Sequence, residues 1–235
     1  MFAITPHMMS NFFNSISKFI ILLSIILIVV AGVLIIFLEN DYYQGISFKI
    51  MFIHVPAAWL SLMIFFSMGI SSIIGLIFKS PTSFTISRSL SPIGLIMSIV
   101  VLITGSIWGN LTWGTYWVWD ARLTTELILL FIYLGLIAVG KMVDDSSKTD
   151  RALSLITLFG FINIPLIYFS VVFWNTLHQG FSLGATQAEM ASEIKIGLAI
   201  CTIGVWLVCS STILLRAKAL LLERDYDSHW VQTAI

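Results

Sequence analysis

The chain has 235 residues and no net charge at neutral pH, with 58% hydrophobic and only 10% charged residues and a mean hydropathy of +1.00. Soluble domains carry roughly 25% charged residues, so this composition excludes a soluble domain. It predicts an all-α integral membrane protein.

Six apolar runs are long enough, or nearly so, to cross a hydrocarbon core of about 30 Å as helices rising about 1.5 Å per residue. In chain order they cover 19–38, 55–78, 92–108, 123–140, 152–173 and 196–215. We expect one membrane domain over 1–235, a bundle of six transmembrane helices. The first run is too long for a signal-peptide core and lacks an A-x-A cleavage pattern, so we expect it to be a retained helix. Asn163 and Pro165 predict a kink in the fifth run, or a proline that is simply tolerated there.

The positive charges between the runs set the predicted orientation. Nine Lys and Arg residues fall on the side that holds both termini, against three on the other: Lys49, Arg122 and Lys195. Positively charged loops stay in the cytoplasm, so we expect both termini to be cytoplasmic. The segment between the third and fourth helices then faces outward. The outer side also carries six acidic residues against its three cations, and this mildly acidic surface gives no support to a nucleic-acid partner. Membrane lipid is the surrounding partner.

That outward segment, WGTYWVWD, holds four aromatic residues in eight positions. Aromatic faces supply contact area and stack on extended π-systems, whereas an interfacial belt needs fewer aromatic residues. The segment is either such a belt or a platform for a large flat ligand, and its density, with an embedded glycine and a terminal aspartate, favours the platform. The candidate ligand contacts are Trp113, Gly114, Tyr116, Trp117, Trp119 and Asp120.

Spacing and charge add detail to this platform. Trp113 and Trp117 share a face whether the segment is helical or extended. Arg122 suits an anionic carboxylate of the ligand, or equally an ion pair with Asp120 or Glu126. The helix dipole is sufficient explanation for Glu126 near the start of the fourth helix, although an acid so near the bilayer is also a functional candidate.

Two of the four histidines, His54 and His178, fall on the predicted outer side. A single interfacial histidine is usually satisfied by water or the backbone, but two beside an aromatic platform can approach one metal ion from opposite sides. Zinc sites want more protein ligands, commonly thiolates, and both cysteines, Cys201 and Cys209, lie inside the sixth run. A porphyrin iron asks only for axial ligands. The pair therefore suits a haem iron, and the absence of a C-x-x-C-H motif predicts that the haem is not covalently attached.

The sequence WGTYWVWDARLT, flanked by two outer histidines in a chain of this length with six apolar runs, resembles the CcmC family of haem-handling membrane proteins. The Trp-rich motif that ends in Asp is its most specific part. The wider WWD family shares this motif, but within it CcmF is much longer and CcsA typically has more spanning helices.

The resemblance implies that the motif contacts haem b, held transiently and without a covalent bond, and that His54 and His178 are the axial ligands of its iron. It implies delivery of this haem to the chaperone CcmE, with CcmD and the ABC-type pair CcmA and CcmB as partners. It also implies a place in the bacterial inner membrane with the haem site facing the periplasm, or in the mitochondrial inner membrane.

Three function classes remain open at this point. The first is a haem-binding delivery protein, which is not an enzyme. The second is a haem oxidoreductase, or a lyase that bonds haem to the chaperone; an oxidoreductase needs a second redox centre or a quinone site, for which the sequence gives no sign. The third is a haem transporter, whose expected marks are paired broken helices or ionisable residues at mid-membrane depth, whereas the polar residues here cluster at one face.

Overall fold

The structure is a computed structural model and describes residues 6–142, 146–174, 176–178 and 190–232. In these residues the only β-type pairing is an isolated bridge between Asp41 and Gly45. The described elements are α1 (Pro6–Phe37), a 3-10 helix (Ile46–Ile50), α2 (Met51–Phe78), α3 (Pro81–Trp113), α4 (Ala121–Met142), α5 (Ser146–Gly160), α6 (Asn163–Phe173), α7 (Ser192–Arg224) and α8 (His229–Gln232). Six helical stretches in the described chain are long and apolar enough to span a membrane, which confirms the predicted all-α bundle.

Several helices extend beyond the apolar runs that predicted them. The third helix begins at Pro81 rather than Pro92, because the Ser80 side chain accepts a hydrogen bond from the Ser83 backbone N–H at 3.3 Å and Pro81 occupies the first helical position, where a missing N–H is harmless. Pro92 therefore lies inside α3 and not at its start. Hydropathy marks the part of a helix that lies in hydrocarbon, not the point where the helix ends. For the same reason α1 begins before residue 19, and α7 exceeds 196–215 at both ends.

The fifth apolar run forms two helices with a break between them. α5 ends at Gly160 and α6 begins at Asn163, so the predicted kink is a short break, across which Ile162 keeps helical dihedral angles (φ −60°, ψ −28°). Pro165 lies in the first turn of α6, where its missing N–H has no intrahelical partner to lose. The Asn163 side-chain amide donates to the Thr125 carbonyl on α4 at 2.9 Å, which ties the break to the neighbouring helix.

The helices pack around a core shared by α2, α3 and α4. α2 has its most extensive interface with α3, and α1 packs along α7. Phe65, Leu129 and Tyr133 are fully buried in this core. Most large apolar side chains of α1 are exposed, as a lipid-facing helix requires.

One end of this bundle gathers three segments that the sequence separates. Residues 114–120 join the end of α3 to the start of α4, His54 lies near the start of α2, and residues 174 and 176–178 follow α6. Side chains from all three segments line one pocket, so they meet at the same end. The candidate site lies there.

Candidate functional site

An open pocket, about 620 Å³ when the space continuous with solvent is counted, lies between α2, α3 and α4 at this end. Ligand pockets typically have apolar walls and a few convergent polar groups, and this pocket has both. Its apolar wall includes Leu62, Val101, Leu102 and Ile167. Among the residues predicted from sequence, those that line it are His54, Trp113, Tyr116, Trp117, Arg122 and His178.

The other three predicted residues, Gly114, Trp119 and Asp120, shape the segment without lining the pocket. Gly114 ends α3 with a φ of 76°, and its N–H bonds to the Asn110 carbonyl; this left-handed conformation is one that glycine adopts at little cost. The Trp119 side chain is 78% exposed and contacts Trp117 edge to face at 5.4 Å. Residues 114–120 are not helical.

Asp120 connects the start of α4 to the segment that carries His178. Its Oδ1 accepts from the Leu123 backbone N–H at 2.8 Å, which caps α4. Its Oδ2 accepts from the Thr176 hydroxyl, and the Thr176 oxygen accepts from the His178 backbone N–H at 3.1 Å. The carboxylate thus holds both the end of the motif and the approach to His178.

The two predicted histidines lie side by side in the pocket. Their ring centroids are 6.5 Å apart and their planes are inclined by 41°. His54 is buried, with its Nδ1 at 3.0 Å from the Thr104 hydroxyl. The His178 Nδ1 is buried without a hydrogen-bond partner in the described part of the chain. The Trp113 ring lies 5.5 Å from the His178 ring.

This separation matches the space that one metal ion needs between two imidazoles. An imidazole nitrogen binds a first-row metal at about 2.0–2.1 Å, and each ring centroid lies roughly 1 Å behind that nitrogen, so two axial ligands of one ion have centroids about 6 Å apart. Over the described ranges, no group of three or more His, Cys, Asp or Glu side chains comes together as a metal site. The pair therefore suits a metal that brings its other ligands with it.

Burial and charge keep His178 neutral. Burial first, and then the nearby positive charge of Arg122, lower the pKa of His178 from 6.5 to about 4, while Asp120 acts in the opposite direction. A neutral imidazole offers a lone pair to a metal, whereas a protonated one does not. The ring is accordingly a competent ligand at neutral pH.

Two charged residues stand deeper in the same pocket. Arg122 donates to the Ile167 carbonyl at 3.4 Å, and among the described residues it forms no ion pair with Asp120 or Glu126. Glu126 is only 6% exposed and lies in the second turn of α4, past the first turn, where the helix dipole acts. Its Oε1 instead accepts from two serine hydroxyls, those of Ser98 at 3.1 Å and Ser61 at 3.3 Å.

Comparison with known proteins now adds to this geometry. The family model described as CcmC, Heme exporter protein C, matches residues 2–232. The chain belongs to the CcmC family.

Several curated relatives agree with this assignment. Heme exporter protein C of Escherichia coli strain K12 is 39% identical over 199 residues, covering 85% of this chain and 80% of the relative. Heme exporter protein C of Bradyrhizobium diazoefficiens is 51% identical over 140 residues, covering 60% of this chain and 53% of the relative. A putative cytochrome c biosynthesis ccmC-like mitochondrial protein of Marchantia polymorpha is 40% identical over 184 residues, covering 78% and 75%.

Sequence reasoning missed the polar residues that hold this CcmC-family site in shape. They are Ser61 and Ser98 around Glu126, Thr104 at His54, and Thr176 between Asp120 and His178. Serine and threonine are common in membrane helices because they can bond to their own backbone. Nothing local distinguishes these from the many others in the chain.

Proposed function

We propose that this chain binds haem between His54 and His178 and delivers it, at the outer face of the membrane, to the chaperone CcmE for c-type cytochrome maturation. The single observation that carries the proposal is the 6.5 Å separation of the two imidazole rings inside an aromatic-lined pocket. The names of the family and its relatives support haem as the ligand.

The other predicted site residues have different roles in binding the porphyrin. Trp113, Tyr116 and Trp117 line the pocket and supply aromatic faces for the flat ring. Arg122 pairs with a propionate, because a guanidinium binds a carboxylate with two parallel hydrogen bonds. Gly114, Trp119 and Asp120 set the course of the segment around the ligand.

The cargo is haem b, held transiently and without a covalent bond. Two axial bonds can be exchanged one at a time, which lets an acceptor take the iron without a free intermediate. Cys201 and Cys209 lie within α7, away from the pocket lining. In this proposal the chain is a delivery protein and not an enzyme, since it hands the haem on intact.

We further propose a place in the bacterial inner membrane with the pocket facing the periplasm. The excess of Lys and Arg on the side of the termini supports this orientation, and six helices able to span a membrane support a multi-pass protein. The mitochondrial relative extends the proposal to the mitochondrial inner membrane. CcmE, CcmD and the CcmA–CcmB pair are the proposed partners, together with membrane lipid.

Passage of haem through the chain is a second candidate function. Two observations favour it: the break between α5 and α6, and a pocket that reaches inward to the buried Glu126. Transporters of this kind use broken helices in pairs, and among the described spans the break between two α-helices is that of α5 and α6. Delivery at one face therefore remains the leading proposal.

The delivery proposal is tested by measuring haem on CcmE in cells. Cells without this gene, and cells with alanine at His54, His178 or Trp117, are compared with the wild type for haem-loaded CcmE and for recovery of haem with this chain. Delivery predicts unloaded chaperone in the deletion strain and reduced loading in the three variants. Normal chaperone loading in the deletion strain contradicts it.

Loading of vesicles separates delivery from passage. Vesicles that contain only this chain are given ferric haem b on one side, and an apo haem-binding protein on the other side reports its arrival. Delivery predicts that haem reaches the other side as slowly as it does in vesicles without protein. A faster rate that disappears with alanine at His54 supports passage instead.

A further inference from the structure

We propose that Thr104 and Gly105 of α3 are positioning residues for His54, fixing which nitrogen of its ring is offered to the iron and where that nitrogen lies. The inference rests on the proposed function, in which His54 is an axial ligand. It concerns residues outside the Trp-rich motif, on a different helix from the histidine that they position.

The hydrogen bonds around Thr104 determine the tautomer of His54. The Thr104 hydroxyl has one proton, and its oxygen lies 2.6 Å from the Val100 carbonyl, to which it donates. At the 3.0 Å contact with His54 Nδ1 the same oxygen must therefore accept. Nδ1 then carries the hydrogen, and the lone pair of the neutral ring is on Nε2.

A histidine ligand is commonly held this way. Metal-bound imidazoles donate their second ring N–H to a neighbouring oxygen, which fixes the ring orientation and raises the basicity of the bonding nitrogen. In this chain the hydroxyl of Thr104 supplies that oxygen from α3, while His54 belongs to α2.

Gly105 determines how close the His54 ring comes to α3. A Cβ atom built on Gly105 lies 2.9 Å from the His54 Cε1 atom, a distance that real Cβ contacts do not reach. The absence of a side chain therefore creates the space in which the ring lies. Because the ring is bonded to Thr104, it cannot move away from an added methyl group without lengthening that bond.

A third residue of α3, Trp108, also contacts the His54 ring. The Trp108 ring meets His54 edge to face, with centroids 5.8 Å apart. The Trp108 Nε1 donates to the Gln44 side chain at 2.9 Å, which fixes the indole. Thr104 and Trp108 are four residues apart on one face of α3 with Gly105 beside them, so α3 contacts the His54 ring through three residues.

The experiment measures ferric haem b binding to the purified full-length chain in nanodiscs. Its variants are T104V, which keeps the side-chain shape and removes the acceptor; T104S, which keeps the hydroxyl; and G105A. We expect T104V to weaken haem binding about 10- to 100-fold, in the range for loss of such an outer partner. We also expect T104V to raise the reduction potential of the bound haem, since a less basic imidazole stabilises ferric iron less. T104S should stay close to the wild type in both properties.

G105A tests independently whether the His54 ring needs the space beside Gly105. It also keeps the proposal testable if T104V does not fold. We expect about tenfold weaker binding or more, with an altered spectrum of the bound haem. The matched controls are T212V, whose exposed threonine makes the same kind of backbone bond to Val208, and G135A, whose added methyl group meets open space. Both should bind haem like the wild type.

Different results would contradict the proposed function and the positioning role of Thr104 and Gly105. If H54A binds haem with unchanged affinity and spectrum, the proposed function fails at His54 itself. If H54A loses binding while T104V and G105A match their controls in affinity, spectrum and potential, the positioning role is wrong and the ligand assignment stands.

Discussion

The tryptophans of the Trp-rich motif lie in different environments although they are close in sequence. Trp113 and Trp117 line the pocket, whereas most of the Trp119 side chain is exposed and contacts Trp117. Trp113 and Trp117 line the pocket together as predicted, although the segment is neither helical nor extended, because it turns at Gly114 after α3. The exposed position of Trp119 was not predicted from the sequence, because it depends on how the non-helical segment turns after α3.

This difference predicts unequal effects of removing the three indole rings. Replacing Trp113 or Trp117 with alanine should weaken haem binding roughly two- to tenfold each, since an aromatic contact is worth about 0.5–1.5 kcal/mol beyond the area it buries. W119A, the matched control, should change binding less than either. Titration of the purified variants with ferric haem b measures this, and an equal or larger loss in W119A contradicts it.

The lowered pKa of His178 predicts a pH effect on the ligand-free chain. Its pKa is about 4 in the folded chain and 6.5 ordinarily, so between these values the unfolded chain binds more protons. Stability must then fall as pH drops through that window. Melting temperatures of the wild type and H178Q should diverge from pH 7 to pH 4, with the wild type losing more. Parallel curves would show that His178 titrates normally in the folded chain.

At the scale of elements, the start of α4 connects the Trp-rich motif to the helix bundle. Asp120 caps the helix and also accepts from Thr176, which holds the backbone of His178. The cap joins residues only three positions apart and is therefore a local feature. The link to Thr176 crosses a sequence separation of 56 residues and needs the position of α6 before it can be seen.

D120A should therefore affect stability and haem binding together. Loss of the cap costs about 1 kcal/mol, and the loss of the acceptor for Thr176 releases the segment that carries His178. D120N retains an oxygen for the Leu123 N–H and should be milder. S80A removes the cap of α3 at the opposite end of the bundle and serves as the control. It should lower the melting temperature by a similar amount without changing haem affinity, and an equal affinity loss in S80A would refute the link.

Glu126, which lines the pocket, joins three helices. It accepts from Ser61 of α2 and Ser98 of α3, and the Tyr133 hydroxyl of α4 donates to the Ser61 carbonyl at 2.8 Å. A buried acceptor of this kind holds its donors in place. Removing it leaves the Ser98 hydroxyl without its acceptor, whereas the Ser61 hydroxyl keeps the Ala58 carbonyl at 3.0 Å.

E126A should consequently destabilise the chain by about 1–3 kcal/mol, the cost of leaving buried polar groups unsatisfied. E126Q keeps a carbonyl oxygen for the two serines and should remain close to the wild type. Unfolding of the purified variants in mixed detergent micelles provides the measurement, with the exposed Glu223 changed to alanine as the control. An E126A variant as stable as E223A would show that the serines find other partners.

For the molecule as a whole, hydropathy was sufficient to find six spans but not their arrangement. In a bilayer the outside of a bundle is as apolar as its inside, so the pattern along a helix does not reveal which face packs. The pairing of α1 with α7 and the shared core of α2, α3 and α4 were therefore not readable. The sequence pattern identified residues that are neighbours within the motif. It did not identify contacts between distant positions, such as Thr104 and His54, which are 50 positions apart.

The central claim is that one haem iron is bound by both His54 and His178. Absorption and electron paramagnetic resonance spectra of the purified chain, loaded with one equivalent of ferric haem b in nanodiscs, test it most directly. The account predicts a six-coordinate low-spin bis-histidine spectrum in the wild type. It predicts weakened haem retention and an altered spectrum in H54A and in H178A, each partly restored by added imidazole. An unchanged bis-histidine spectrum in both single variants would contradict it.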